Sequence, residues 1–123
     1  MQRLWIGLGS LAGLTAVAIA AFTAHGLRGL DQARLTIIHT AVEMQAWHAL
    51  ALLACGLWGS RGGSLADGAG AAFALGTLLF CGSLYSHALY ALDLGIVAPI
   101  GGTLLMLGWM LLGLSAFVAR QSP

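Results

Sequence analysis

Histidine, glutamine and glutamate are out of place in apolar sequence, yet this chain sets His25, His39, His48 and His87, with Gln45 and Glu43, in or beside its apolar runs. Neutral imidazole is the commonest side-chain ligand for zinc, copper or haem iron. His25, His48 and His87 are therefore the residues with which the chain could hold a metal or haem. No HExxH or CxxC spacing specifies a geometry, and no particular cofactor is indicated. Gln45 and His48 are three apart, with Cys55 seven further on, which makes one helical stripe; Ser83, His87 and Tyr90 make another. Glu43 lies four residues from His39 and shares a different face with it.

Other reactive spacings carry less. Ser83 and His87 form an i, i+4 pair, but no nucleophile elbow and no carboxylate on that face orients the histidine, so hydrolase chemistry is not expected. Met106 and Met110 sit among leucine and tryptophan and read as packing rather than as soft metal ligands. Pro99 to Gly102 reads as a tight turn into a helix rather than an anion site. The glycines of residues 59–63 lack the lysine and flanking strand of a phosphate loop. The same His, Gln, Ser and Tyr side chains can equally act as hydrogen-bond glue between helices, or line a proton or solute path.

Composition decides what must position these residues. Of 123 residues, 59% are hydrophobic, 7% are charged and 18 are glycine, far from the roughly 25% charged residues of a soluble domain. A bilayer-spanning helix takes about 20 apolar residues, which leaves room for at most about four or five spans and no second domain. The net charge of +1 and five scattered arginines exclude nucleic acid as a partner and show no polybasic lipid-binding patch. Cys55 and Cys81 fall at different depths and read as small apolar fillers.

The expected architecture is an all-α integral membrane protein, a four-transmembrane-helix bundle in a single membrane domain over 1–123, with spans at about 4–24, 41–58, 69–92 and 99–118. The run from Leu4 to Ala24 exceeds the apolar core of a signal peptide and carries a small-residue face through Gly9, Ala12, Gly13, Ala16, Ala20 and Ala24, so it reads as a retained span. Asp31 is a candidate N-cap. Residues 59–68, GSRGGSLADG, carry the clearest loop signal. Four spans place Arg3, Arg61 and Arg120 on one side and Arg28 and Arg34 on the other, which favours cytoplasmic termini, with Trp5 and Trp58 as interfacial anchors. The fold then gathers all four histidines toward the outer half. Counting rise along the spans brings His48 and His87 to one level.

The segments AFTAHGL (21–27), MQAWHALALL (44–53), FCGSLY (80–85), PIGG (99–102) and GW (108–109), in this order over nearly the whole chain, resemble the domain of unknown function 423 family. That family's patterns are GAFGAHGL, YQMYHALALL, SGSLY and TPIGG, with bacterial inner-membrane members and a eukaryotic relative called transmembrane protein 256. The pattern falls on His25 and Gly26, on Gln45 and His48 to Leu50, on Gly82 to Tyr85 and on Pro99 to Gly102. Thr23 stands where the family usually has glycine and Trp47 where tyrosine is common; His39 and His87 match no motif position. The resemblance implies a small multi-span membrane protein and supplies no established activity.

The expected function is that of a non-enzymatic binding or accessory protein of the bacterial inner membrane, with a polar cluster of His25, Gln45, His48, Ser83 and His87 in its outer half. Its expected partners are the lipid bilayer and either another membrane protein or further copies of itself. The alternatives are a metal- or haem-binding membrane protein and a minimal transporter or proton path.

Overall fold

The computed structural model describes residues 1–119; Arg120, counted above toward the orientation, lies outside them. Three helices carry these residues: α1 (Gln2–His25), α2 (Gln32–Tyr90) and α3 (Val97–Val118). All three are long and apolar enough to cross a membrane. The count corrects the expected four. The difference lies at residues 59–68, where a loop was expected: helical hydrogen bonding continues on both sides, and the only non-helical backbone inside α2 is at Gly63, with φ 56° and ψ −141°. A side chain at such angles costs about 1–3 kcal/mol, so only glycine reverses the chain so sharply.

Helix α2 does double back there. The Cys81 thiol lies 3.3 Å from the Ala41 carbonyl and the Tyr85 hydroxyl 2.8 Å from Gln45, whereas forty residues of straight helix would span about 60 Å. We call the limb before Gly63 α2a and the limb after it α2b. Asp31 caps α2 as expected, its carboxylate accepting from the Arg34 N–H at 2.9 Å. At the other end Ala91 turns into the left-handed region (φ 55°) and closes the helix with its N–H on the His87 carbonyl.

The flanking helices each bury one narrow stripe. In α1 it is Trp5, Gly9, Ala16 and Thr23, and in α3 it is Gly101, Leu105, Gly108 and Ser115. Both stripes face α2, and no part of α1 comes near α3. The core is correspondingly central: Trp5, Ala51, Leu52, Cys55, Ala69, Phe73 and Leu105. Leucine, phenylalanine and methionine instead cover the outside, with Leu14, Leu57, Leu78 and Phe117 among the most exposed. In water so continuous an apolar surface is a liability, and in a bilayer it is the lipid face.

Glycine sets how closely the helices approach. A Cβ on Gly9 would lie 2.8 Å from the Ala49 carbonyl oxygen, and one on Gly101 only 2.5 Å from the backbone nitrogen of Phe80. These are backbone-to-backbone contacts that any side chain would forbid. Both cysteines are free and buried.

Candidate functional site

The polar cluster expected around Gln45 and His48 divides into two separate clamps. Gln45 projects from α2a between α1 and α2b. Its amide nitrogen donates to the Ala12 carbonyl at 2.9 Å and to the Thr15 hydroxyl at 2.7 Å, and its amide oxygen accepts from the Tyr85 hydroxyl at 2.8 Å. The Ala12 carbonyl can only accept, which fixes the orientation of the amide. One side chain thereby joins α1, α2a and α2b.

His48, one turn further along α2a, faces the opposite flank. Its Nδ1 is 2.6 Å from the Met44 carbonyl, and the Trp109 indole N–H donates to its Nε2 at 3.1 Å. A carbonyl only accepts and an indole N–H only donates, so the ring holds its proton on Nδ1 and a lone pair on Nε2. Phe73 and Trp109 pack around it, with ring centroids 5.6 and 5.9 Å away. His48 is 2% exposed and has both nitrogens engaged, so a metal would have to displace a hydrogen bond to reach it.

His25 and His87 are exposed near the ends of α1 and α2b, and no hydrogen bond joins either to another side chain among the described residues. His87 does not share a level with His48. In the register fixed by Ala41 and Cys81, His48 lies opposite Ala74, about thirteen residues or ~20 Å along the axis from His87. The rise count misplaced them because α2 is already helical at Gln32, which pushes His48 deeper. Ser83 is buried in α2b. Glu43 and His39 are both exposed and unbonded to one another. No group of three His, Cys, Asp or Glu side chains among the described residues could hold a metal ion.

Four hydrogen-bonding side chains escaped the sequence reading as site residues. Tyr85 and Trp109 supply the donors that complete the two clamps. Trp5, expected at the interface, is instead 4% exposed and donates to Asp67 at 2.7 Å; Gly70 makes the room, since a Cβ there would sit 2.6 Å from the indole. Trp58 is half-buried and donates to the Ser115 hydroxyl at 3.0 Å, tying α2a to α3. Reflecting Gln45 through Gly63 lands on Cys81, one turn from Tyr85, so the register signal was present in the glycine.

Between α1 and α2b, beside the Gln45 clamp, an open groove of about 460 Å³ faces outward. Leu8 and Leu11 form one wall, Leu75 and Leu78 the other, and Gln45 with Leu52 lies at its floor. Gly82 lines it with nothing within 4 Å of where a Cβ would stand.

With this geometry in hand, the comparisons with known proteins place the chain. A model of the family described as "Protein of unknown function (DUF423)" matches residues 19–102. The chain belongs to this family. It is 37% identical to a UPF0382 membrane protein of Haemophilus influenzae, covering 98% of this chain and 99% of the relative. It is 32% identical to the UPF0382 membrane protein YwdK of Bacillus subtilis, covering 94% and 97%. It is 37% identical to the UPF0382 inner membrane protein YgdD of Escherichia coli, covering 98% and 94%. No solved structure matches it. Family membership settles the environment as a lipid bilayer, and the matched stretch contains both clamps apart from Ala12, Thr15 and Trp109.

Proposed function

We propose that this DUF423 protein is a non-enzymatic binding protein of the bacterial inner membrane, which crosses the bilayer four times, with α2a and α2b as separate spans and both termini in the cytoplasm. The reversal at Gly63 supports four crossings, because each limb of α2 has the length of a span. The arginine distribution supports the orientation, with Arg3 and Arg61 at one end of the described helices and Arg28 and Arg34 at the other.

The observation that carries the binding role is where the polar side chains are spent. Gln45 and His48 have no hydrogen-bonding nitrogen left over, so the cluster holds helices together rather than presenting a reactive group. What the Gln45 clamp borders is the groove between α1 and α2b. A volume of about 460 Å³ falls within the ~300–1,000 Å³ range of small-molecule sites, and such sites are mostly apolar with a few placed polar groups.

Extraction of the protein with its surrounding lipid into polymer-bounded discs, followed by native mass measurement, tests this. The expected result is one retained non-covalent occupant per chain. A bare chain under conditions that preserve the helices contradicts the binding role.

A further inference from the structure

The groove carries one polar feature that the clamps do not use. Thr77 lines it, is 8% exposed, and has a hydroxyl with no hydrogen-bond partner. It is the only buried side-chain nitrogen or oxygen left so among the described residues. The contrast with the other threonines is sharp. Thr15, Thr23, Thr36, Thr40 and Thr103 all donate to the carbonyl four residues back in their own helix, the usual way a helical threonine spends its hydroxyl. Thr77 forgoes the Phe73 carbonyl. A buried hydroxyl without a partner costs roughly 1–3 kcal/mol, and an incoming acceptor recovers that cost.

Depth restricts what the acceptor can be. Thr77 is midway along α2b, about 20 Å from either end at 1.5 Å per residue. The hydrocarbon core is about 30 Å thick, so the ester carbonyls and headgroups of phospholipids lie some 15 Å away from this level. A diacyl lipid in the groove would offer Thr77 only methylenes. A fatty acid is held at the interface by its carboxylate. The molecule that brings an acceptor to mid-membrane is uncharged, carries its oxygens on an apolar frame and has a long apolar tail to lie along leucine walls.

We infer that the groove between α1 and α2b binds a prenylated quinone, a flat dicarbonyl ring on an isoprenoid chain, with a ring carbonyl accepting from the Thr77 hydroxyl. The hydroxyl itself is enclosed in the free protein, and a turn about χ1 would bring it to the groove as the ring enters. The tail lies between Leu11 and Leu78. Thr15, Gln45 and Tyr85 border the outer end, but their donors are spent on one another and on the Leu11 and Ala12 carbonyls, which leaves Thr77 as the donor for the ring. The inference rests on the proposed binding role and names the ligand for it.

The test titrates menaquinone-4 and decylubiquinone into disc-embedded protein and follows quenching of tryptophan fluorescence, with squalene as the tail-only control and phosphatidylglycerol as the lipid control. Saturable one-to-one quenching by a quinone is expected, weakened about fivefold in Thr77→Val, which removes one hydrogen bond without changing shape, and retained in Thr77→Ser. Gly82→Leu, which fills the groove from an unoccupied Cβ direction, should abolish it. Equal affinity in Thr77→Val, equal displacement by squalene, or quenching that never saturates overturns the quinone assignment. A phospholipid found as the retained occupant in native mass measurement also overturns it while leaving the binding role standing; a bare chain overturns both.

Discussion

The two flanks of α2 are built from the same kinds of residue and end in opposite states. On the α3 side, a Cβ on Gly101 would lie 2.5 Å from the Phe80 backbone, one on Gly108 2.7 Å from the Phe73 ring, and one on Gly76 2.8 Å from Leu105. The helices therefore touch along their length, and the His48, Trp109 and Phe73 rings close what remains. On the α1 side, contact with α2b is made at one end through Trp5 against Gly70 and Asp67. Beyond that the leucines of both helices hold them apart, and Gln45 bridges the gap with hydrogen bonds. Glycine opposite a backbone closes an interface; leucine opposite leucine, pinned by a single polar bridge, leaves a groove.

The sharpest way to break this contrast is to add the same methyl group to each side. Gly101→Ala forces a carbon against backbone that cannot move aside, so unfolding in mixed micelles should show a loss near 3 kcal/mol, the upper end for overpacking. Gly82→Ala adds the methyl into open space and should leave stability unchanged or raised by up to about 1 kcal/mol through helix propensity. Equal losses in the two variants would mean that the groove is not open.

Gln45→Leu comes next. It removes three hydrogen bonds and leaves the Tyr85 hydroxyl without its acceptor, at a cost of about 2 kcal/mol. A double-mutant cycle with Tyr85→Phe should give a coupling near 1 kcal/mol, measured by the same unfolding; additive losses would separate the two residues. Trp109→Phe keeps the aromatic packing on the closed side but strips the donor from His48, and a smaller loss of about 1 kcal/mol is expected. The ordering matters more than the values. The open side depends on its polar bridge, and the closed side on its backbone contacts.

The legibility of these features in the sequence follows the range of the interaction that creates them. Apolar runs, the Asp31 cap and the stripe of small residues through Gly9 and Ala16 depend on neighbours within a few turns and were readable, although Ala20 and Ala24, expected on the same face, are exposed. The partners of Gln45 and His48 depend on register across a reversal. The loop expected over residues 59–68 does not form: the stretch is helical, and the chain turns at Gly63 alone, because one backbone in a glycine-only conformation suffices. Trp5 shows the limit of composition rules. Tryptophan near a span end usually anchors at the headgroups, yet here Gly70 provides a seat and Asp67 an acceptor, neither of which lies near it in sequence. The groove itself had no sequence signal, since its walls read as ordinary lipid-facing leucine.

Gln45 and His48 act as two structural clamps, and the proposed binding surface is the groove beside Gln45. Native mass measurement of His48→Ala and Gly82→Leu in lipid discs, each with its absorption spectrum, tests that directly. The account predicts that His48→Ala keeps the retained occupant and shows no change attributable to a metal or haem, whereas Gly82→Leu loses the occupant with its helices intact. Loss of a metal or a Soret band in His48→Ala, with the occupant of Gly82→Leu undisturbed, would contradict the account and return the function to the histidines.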